Sequence, residues 1–419
     1  MSEPVKLIVL GCGNRGSAYT AFAEKFPERV RIAAVADPRD FYRNFLGDRG
    51  QVPHERRYRS WTEIAALPKF ADAVLICLQD SMHAEAAIAF ARLGYHILLE
   101  KPMAPTAREC RDIVRAVKEA GVIFAVCHVL RYTPFSRLLK KTLASGTIGD
   151  LVSIQHLEPV MHWHQAHSFV RGNWRNEKES SFMLLAKCCH DLDWIRYMMD
   201  VPCEKIQSFG FLKHFTRENQ PEGAASRCTD CPAGIESRCP YSALQIYLRD
   251  RVCKGKYDWP VDILTSDLTP EGVLKALREG PYGRCVYCCD NDVVDNQVVN
   301  FAFSGGRTGQ MTMTAFCDES GRQTRIFGTH GSIRTDSRII HVTEFLTGRE
   351  YDLDSQTDND GSILSGHGGG DFGLMDAFVR ALETGDRSAI LSGIDETLES
   401  HLMVFAAEES RRTGKVIQL

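Results

Sequence analysis

The chain has 419 residues and a formal net charge of −4; 44% of its residues are apolar and 25% are charged. That length allows two domains, the composition is that of an ordinary globular protein, and the small negative charge gives no reason to expect nucleic acid as a partner. No apolar run approaches the roughly 20 residues that cross a bilayer, and the N-terminus lacks the apolar stretch of a signal peptide, so we expect a cytoplasmic protein without a membrane contact.

The first predicted elements are a strand at residues 6–10, a glycine-rich turn and a helix at residues 17–25. In this setting a G-x-G-x-x-G pattern is typical of a turn that holds the pyrophosphate of a dinucleotide. Gly11 permits the tight turn, Gly13 lets the backbone approach the phosphates, and Gly16 lets strand and helix pack closely. The predicted cofactor-binding residues of the turn are Gly11, Cys12, Gly13, Asn14, Arg15 and Gly16.

Asp37 follows a second predicted strand at residues 30–36 and lies 21 residues after Gly16. An acidic residue at this place hydrogen-bonds the 2′-hydroxyl of the adenosine ribose and repels a 2′-phosphate, which favours NAD. Arg39 can accommodate a 2′-phosphate, so NADP stays open as the alternative cofactor. The competing interpretation is that Asp37 and Pro38 form an ordinary turn after a strand.

Alternating strands and helices predict an α/β architecture at residues 1–128, a Rossmann domain with a doubly wound parallel sheet. In such sheets ligands bind beyond the carboxyl ends of the strands. Leu78, His83, Glu100 and Lys101 lie at or beyond predicted strand ends and are assigned to the cofactor site. The later predicted strands are 71–78, 95–99 and 122–126, and the predicted helices between them are 82–93 and 107–120.

A second domain is predicted at residues 129–419, because strand-like runs there follow one another with few helices between them. This pattern favours an α+β domain built on a large, open, mostly antiparallel sheet, with a closing helix at residues 394–412. The strand-like runs are 206–212, 297–303, 309–316, 324–327 and 339–344.

His190 lies in a predicted helix in which Lys187, Asp191 and Trp194 fall on one face with it, at spacings of three and four. A histidine beside Asp191 and Asp193 suits proton transfer, because a carboxylate can orient the imidazole ring. We therefore predict His190 as a catalytic residue, and Lys187 and Asp191 as substrate contacts. The alternative is a structural histidine, held by Asp193 or by the backbone.

Residues 161–175, MHWHQAHSFVRGNWR, are rich in histidine, tryptophan and arginine. Tryptophan faces suit the apolar side of a sugar ring, while histidine and arginine hydrogen-bond hydroxyl and carboxylate groups. We predict substrate contacts at His164, Arg171, Trp174 and Arg175. A metal site is the alternative, although the segment lacks acidic residues that would complete it.

The chain has fifteen scattered cysteines, an odd number that predicts reduced thiols rather than a disulfide framework. Within a cysteine-rich insertion at residues 220–290, a C-x2-C pair followed by further cysteines has the spacing of metal ligands. A structural zinc ion is one interpretation and buried thiols are the other, with an iron–sulfur cluster less supported. The predicted ligands are Cys228, Cys231, Cys239 and Cys285, with Cys288 or Cys253 as substitutes for the last.

Residues 94–102, GYHILLEKP, resemble the segment that closes the dinucleotide domain in the Gfo/Idh/MocA family of NAD(P)-dependent oxidoreductases. The glycine-rich turn, Asp37, residues 327–332 and residues 368–371 are also similar to segments of that family. The resemblance covers nearly the whole chain. It implies a small-molecule substrate and a homo-oligomer, either a dimer or a tetramer.

The same resemblance implies roles for individual residues. Lys101 is expected near the nicotinamide and the reacting hydroxyl, with a cis bond before Pro102, and His190 is expected beside the substrate hydroxyl. Asp193 matches an aspartate that follows this histidine in the family. One position departs from the pattern, because Ala186 stands where the family commonly has an aspartate. The route of the proton and the identity of the substrate therefore stay open.

Together these features predict an enzyme that transfers a hydride between NAD(P) and a secondary alcohol of a sugar, cyclic polyol or derivative. Lys101 and His190 are its predicted catalytic residues. One alternative is an enzyme that recycles NAD within each turnover and cleaves a glycoside through transient oxidation and elimination. Another is a regulator that senses a dinucleotide without catalysis, and a zinc-organised scaffold is the third.

Overall fold

The structure is a computed structural model that describes residues 3–355 and 366–419. It contains a six-stranded parallel sheet and a nine-stranded, mostly antiparallel sheet, which confirms the predicted fold class. The strands are β1 (Val5–Leu10), β2 (Val30–Ala36), β3 (Arg57–Tyr58), β4 (Ala73–Ile76), β5 (His96–Leu99), β6 (Phe124–Val126), β7 (Leu151–Pro159), β8 (Cys203–Phe211), β9 (Asn296–Phe303), β10 (Thr308–Thr314), β11 (Gln323–Gly328), β12 (Gly331–Thr335), β13 (Ile339–Glu344), β14 (Glu350–Asp354) and β15 (Ile417–Gln418).

The helices cover both sheets and make most of the connections between parallel strands. They are α1 (Asn14–Lys25), α2 (Asp40–Arg49), α3 (Trp61–Ala65), α4 (His83–Arg92), α5 (Ala107–Ala120), α6 (Pro134–Ala144), α7 (His162–His164), α8 (Met183–Ala186), α9 (Cys189–Met199), α10 (Ala233–Glu236), α11 (Pro270–Glu279), α12 (Gly366–Thr384) and α13 (Ile394–Thr413). No helix among the described residues combines the length and the apolar character needed to cross a membrane.

The parallel sheet has the strand order β3-β2-β1-β4-β5-β6, and every paired strand runs in the same direction. Its central strands are buried on both faces, which explains why they read as continuous apolar runs instead of alternating patterns. The strand order reverses beside β1, between β2 and β4. Residues just beyond the carboxyl ends of β1, β4 and β5 therefore surround the crevice where such sheets bind ligands.

The nine-stranded sheet has the order β14-β13-β12-β11-β7-β10-β9-β8-β15, and only β7 and β10 pair in parallel among the described strands. Residues along β10 alternate between exposed and buried, so Met311 and Met313 enter the core while Thr312 faces outward. Helices α8, α9 and α13 contribute to the same core. The covered face of the sheet thus lies toward α9, the helix that carries His190.

Helices from the end of the chain complete the first half of the molecule. Leu374, Met375 and Phe378 of α12 belong to one apolar cluster with Val9 and Phe22 of the parallel-sheet layer. Helix α13 contacts α5 on one side and α9 and β8 on the other. Two C-terminal helices therefore hold the two sheets together.

The cysteine-rich insertion connects β8 to β9 through short helical turns and α10 and α11. It has a small core of its own, to which Tyr241, Tyr247, Val273 and Leu277 contribute. Because few long elements stabilise this segment, its order depends on local packing and on hydrogen bonds to the rest of the chain.

Candidate active site

The glycine-rich turn between β1 and α1 is shaped by close backbone contacts. Gly11 has φ +90°, and a Cβ atom there would lie 2.2 Å from the carbonyl oxygen of Cys77. A Cβ atom on Gly16 would lie 2.1 Å from the carbonyl oxygen of Gly11, so strand and helix approach without a side chain between them. A Cβ atom on Gly13 would meet only Nη2 of Arg39, at 3.5 Å. The turn is therefore open on the side where a pyrophosphate would approach the N-terminus of α1.

Asp37 and Arg39 form an ion pair at the end of β2. Arg39 donates from Nε to Oδ1 of Asp37 at 2.9 Å and from Nη2 to Oδ2 at 2.8 Å, while the main-chain N–H of Cys12 donates to Oδ2 at 2.9 Å. These hydrogen bonds outweigh burial and hold the pKa of Asp37 below its usual range. Asp37 thus stays ionised and able to accept hydrogen bonds, and Arg39 supplies a cation at the same place.

Arg15 and Glu100, both assigned to the cofactor site, form an ion pair with one another. Arg15 Nε donates to Glu100 at 2.7 Å, and its Nη2 donates to Asp371 of α12 at 2.7 Å. The hydroxyl of Tyr19 donates to Glu100 at 2.9 Å, and so does the main-chain N–H of Lys101 at 2.7 Å. Their hydrogen bonds fasten the glycine turn to the residue before Lys101, which is a structural role that the sequence analysis did not assign to Arg15.

His83 joins the loops that follow β4 and β5. Its Nδ1 lies 2.8 Å from the carbonyl oxygen of Pro102, and its Nε2 lies 3.1 Å from that of Leu78. Both ring nitrogens therefore contact main-chain carbonyl oxygens, and neither is free to contact a ligand. Leu78, at the end of this loop contact, is half-buried beside the crevice.

Lys101 reaches from the parallel-sheet half to the other half of the molecule. The peptide bond between Lys101 and Pro102 is cis. The Nζ atom of Lys101 donates a hydrogen bond of 2.8 Å to the main-chain carbonyl of Ala186, at the end of α8. The ammonium group is thereby held next to the start of α9, close to His190.

His190 is buried, and its Nδ1 has no hydrogen-bond partner among the described residues. Its ring centroid lies 5.8 Å from that of His128 and 6.2 Å from that of His367. Burial, and then the charge of Lys101, hold the pKa of His190 well below its usual range. The two predicted catalytic residues thus converge from separate halves, with His190 as a neutral imidazole.

The acidic residues of α9 are paired with cations. Asp191 accepts from Nε2 of His156 at 3.0 Å and from Nε of Arg322 at 2.5 Å. Asp193 accepts two hydrogen bonds from the Arg131 guanidinium, each at 2.7 Å, while Nη1 of Arg131 donates to the carbonyl oxygen of Leu391. Asp191 therefore anchors α9 to the nine-stranded sheet, and its role as a substrate contact stays a prediction. Asp193 holds Arg131 rather than the ring of His190.

Lys187 and His164 lie on the side of the site that faces the large sheet. Lys187 forms an ion pair with Glu158 of β7 at 3.0 Å. The ring of His164 stacks edge-on against Trp259 at 5.0 Å, and burial followed by the charge of Lys187 holds its pKa well below the usual value. The charge of Lys101 also reaches His164. Both predicted substrate contacts therefore lie near Lys101.

Three other predicted substrate contacts have different partners. Arg171 is 1% exposed and donates to the carbonyl oxygens of Arg284 and Tyr241, both at 2.7 Å. Arg175 pairs with Asp290 through two hydrogen bonds of 2.9 Å, and Trp174 packs against the core of the second half. The structure thus pairs Arg171 and Arg175 with groups of the insertion, and their role as substrate contacts stays a prediction.

The described residues contain no group of three or more histidine, cysteine, aspartate or glutamate side chains placed to hold a metal ion. Cys228, Cys231, Cys239 and Cys285 are all free thiols. The sulfur of Cys228 accepts hydrogen bonds from Nη2 of Arg171 at 3.5 Å and from the main-chain N–H of Ala243 at 3.4 Å. The predicted zinc site thus finds no support among the described residues; of its four thiols, Cys228 and Cys285 are buried and Cys231 and Cys239 are half-buried.

Replacing Arg171 with methionine is expected to lower the free energy of unfolding by about 3 kcal/mol, because two carbonyl oxygens lose their buried donor. The measurement is the midpoint of urea unfolding followed by tryptophan fluorescence. Arg175→Met is the matched control, and we expect a loss below about 1 kcal/mol because its ion pair with Asp290 is half-exposed. Equal losses in the two variants would contradict the anchoring role of Arg171.

Sequence reasoning missed several residues of the site, among them His128 and Arg322. His128 follows β6, at the same edge of the parallel sheet as Lys101, and is fully buried. The principle that ligands bind beyond the carboxyl ends of parallel strands, which predicts Leu78 and Lys101, applies equally to His128. Arg322 comes from a loop before β11 and carried no comparable signal. It borders a cavity of about 450 Å³ near His190, also lined by Ser136, His156, Trp194 and His367.

Sequence comparison places the chain among known oxidoreductases. The Gfo/Idh/MocA model described as "Oxidoreductase family, NAD-binding Rossmann fold" matches residues 5–128, and the one described as "Oxidoreductase family, C-terminal alpha/beta domain" matches residues 140–419. The Bacillus subtilis protein YteT is 23% identical over 92% of either chain. Levoglucosan dehydrogenase from Pseudarthrobacter phenanthrenivorans is 32% identical over 35% of this chain and 37% of its own length.

A solved structure shares the fold across the full length. An oxidoreductase from Agrobacterium radiobacter, in complex with NAD+, L-tartaric acid and magnesium, superposes with a TM-score of 0.70 at 15% identity, covering 100% of this chain and 98% of its own. The family models match both halves of the chain and are therefore stronger evidence for its family than this similarity of fold. The chain therefore belongs to the Gfo/Idh/MocA family and is an NAD(P)-dependent oxidoreductase that acts on hydroxyl groups.

Proposed function

We propose that this enzyme transfers a hydride between NAD(P) and a secondary alcohol of a sugar, cyclic polyol or close derivative. The observation that carries the proposal is the convergence of Lys101 and His190 from opposite halves of the molecule. Lys101 is held by the carbonyl of Ala186 at 2.8 Å, and its charge acts on the buried ring of His190. A hydroxyl placed between them would meet an ammonium donor and a neutral imidazole acceptor.

The dinucleotide would lie along the glycine turn with its pyrophosphate at the N-terminus of α1 and its nicotinamide beside Lys101. When bound, it accepts the hydride that leaves the carbinol carbon as the carbonyl forms. Lys101 then orients the hydroxyl oxygen, and His190 faces it from α9. The residues around His164 and Lys187 would hold the remainder of a hydroxylated ring, since they offer an aromatic face and a cation.

The ion pair of Asp37 and Arg39 supports NAD as the preferred cofactor while leaving room for NADP. A ribose 2′-hydroxyl can donate to Asp37 without breaking the pair. A 2′-phosphate must instead displace Asp37 from Arg39, whose side chain is 55% exposed and able to turn toward it. We therefore expect a preference for NAD and measurable turnover with NADP.

A panel of sugars, cyclic polyols and their acids, assayed with NAD+ and with NADP+ for absorbance of the reduced nicotinamide, tests the proposal. We expect at least one cyclic polyol or sugar to yield reduced dinucleotide, with a higher kcat/KM for NAD+. The family match favours an enzyme over the non-catalytic regulator. Consumption of a glycoside without accumulation of reduced dinucleotide would overturn net oxidation, and absence of any turnover across the panel would overturn the substrate class.

A further inference from the structure

His367 is a histidine at the start of α12 that the proposed mechanism does not use, and its side chain is 40% exposed. It has φ +52°, and Gly368 and Gly369 after it also have positive φ, so the regular part of the helix starts after them. Left-handed backbone is unfavourable for a residue with a Cβ atom. Such strain is concentrated at sites that bind ligands. A histidine in this place, where glycines follow it, therefore points to a role for its ring.

The ring of His367 is held by a carboxylate one turn further along the helix. Its Nδ1 lies 3.2 Å from Oδ1 and 3.3 Å from Oδ2 of Asp371. Asp371 is buried, and it also accepts hydrogen bonds from Nη2 and Nη1 of Arg15, at 2.7 and 3.2 Å. Because a carboxylate can only accept, Nδ1 of His367 carries the proton between them. Its Nε2 is the nitrogen that is left to contact a ligand.

A continuous set of hydrogen bonds connects His367 to the residue before Lys101. Arg15, which holds Asp371, also donates to Glu100 at 2.7 Å. Glu100 in turn accepts from the main-chain N–H of Lys101 at 2.7 Å. The position of His367 is therefore fixed relative to Lys101, as a group that acts on the same substrate requires.

His367 lines the cavity of about 450 Å³ near His190, and the centroids of the two rings are 6.2 Å apart. Trp194, one turn after His190 on α9, lines the same cavity. So does Arg322, which donates to Asp191, the residue after His190. The volume is within the range of pockets that hold small molecules. A ligand in this cavity therefore contacts His367 and reaches toward His190.

The separation of the two rings suits a pair of neighbouring hydroxyl groups. Adjacent hydroxyls of a sugar or cyclic polyol lie close together on the same side chain-free ring edge, and each can bond its own imidazole at about 2.8 Å. The 6.2 Å between the ring centroids of His190 and His367 accommodates such a pair. One hydroxyl then meets the histidine of α9, and its neighbour meets the histidine of α12.

We propose that His367 is a specificity-determining residue that contacts the hydroxyl on the carbon next to the one that is oxidised. The inference rests on the proposed function and narrows its substrate to a ring with two adjacent hydroxyls. Lys101 and His190 meet the hydroxyl that is oxidised, and Nε2 of His367 meets its neighbour. The neighbouring hydroxyl keeps its proton throughout. Its contact with His367 holds the carbinol carbon in place for hydride transfer.

His367→Gly tests this contact, because glycine removes the ring and suits left-handed backbone, so the variant should fold. It is assayed with a polyol that the enzyme oxidises and with the two analogues that each lack one hydroxyl next to the oxidised carbon. We expect kcat/KM for the polyol to fall about 50-fold. For one of the two analogues, kcat/KM should be the same in the variant and the unaltered enzyme within about threefold.

Gln51→Gly is the matched control, since Gln51 has the same φ, +52°, and lies exposed just after α2. Its kcat/KM should equal that of the unaltered enzyme with all three compounds. An equal fall for the polyol and for both analogues in His367→Gly would mean a general disturbance of the site and would overturn the contact. So would an unchanged kcat/KM for the polyol.

A binding measurement separates this inference from the proposed function. If no panel compound is turned over, the proposed function has failed, and the Kd of each panel polyol for the enzyme–NADH complex, read from nicotinamide fluorescence, decides the inference. Weaker binding of a polyol by His367→Gly, with equal binding of its deoxy analogue, would support the contact. Equal affinities in both enzymes, binding of no polyol, or a loss confined to NADH affinity would overturn it.

Discussion

Lys101→Met is expected to lower kcat for hydroxyl oxidation by about a thousandfold, because it removes the charged donor at the point where the two halves meet. Methionine keeps most of the length and apolar volume of the lysine, so the loss should not reflect a collapsed site. The Nζ of Lys101 bonds only one main-chain carbonyl in the described structure, which limits the structural cost. Single-turnover reduction of NAD+ with saturating substrate measures the effect on the chemical step.

Lys118→Met is the control for this experiment, since Lys118 forms an exposed ion pair with Asp395 far from the crevice. Its kcat should equal that of the unaltered enzyme, and the NADH affinity of both variants should stay within about tenfold. A kcat for Lys101→Met within tenfold of normal would remove Lys101 from the path of the proton.

Gly11→Ala is expected to abolish dinucleotide binding, with a rise in the Kd for NADH of more than about a hundredfold. A methyl group there would lie 2.2 Å from the carbonyl oxygen of Cys77, well inside van der Waals contact, and the backbone has φ +90°. Left-handed backbone alone costs an alanine about 1–2 kcal/mol, and the overlap with the backbone of Cys77, directly after β4, adds to that because neither β1 nor β4 can move without breaking the sheet.

The chain offers a matched control in Gly121, which also has a positive φ, +66°, but has no atom within 4 Å of the position a Cβ would take. Gly121→Ala should show only the backbone cost, seen as a small fall in the thermal midpoint with normal NADH affinity. Fluorescence titration with NADH and thermal unfolding would be run on both variants. Normal NADH binding by Gly11→Ala would show that the turn does not hold the dinucleotide.

Much of the fold could be predicted because parallel strands buried on both faces leave an unmistakable apolar run, as in residues 73–76 and 96–99. Boundaries in the second half were also close, since β13 spans Ile339–Glu344 as predicted. Helix α2 and the two-residue strand β3 were not predicted. Their residues are mostly polar, and in the fold they contact β2 and one another.

The site was predictable only where a residue occupies a place that the chain topology defines. Lys101 follows a strand end and His190 lies on a helix face, and both positions can be inferred from local pattern. The partners of Arg171 and Arg175 in the insertion lie 70 to 115 residues away, at Tyr241, Arg284 and Asp290. A buried or paired arginine and a substrate-binding arginine look alike in sequence, because the difference is made by the tertiary neighbours that satisfy their donors.

The packing of α12 against the parallel sheet has a consequence for biosynthesis. Leu374, Met375 and Phe378 supply part of the apolar layer that covers Val9 and Phe22. During synthesis, more than 200 residues must be added after the N-terminal half before α12 is available to cover this apolar surface. The exposed apolar surface of this intermediate is a target for chaperones. A fragment ending near residue 128 would expose an apolar patch that is buried in the whole enzyme.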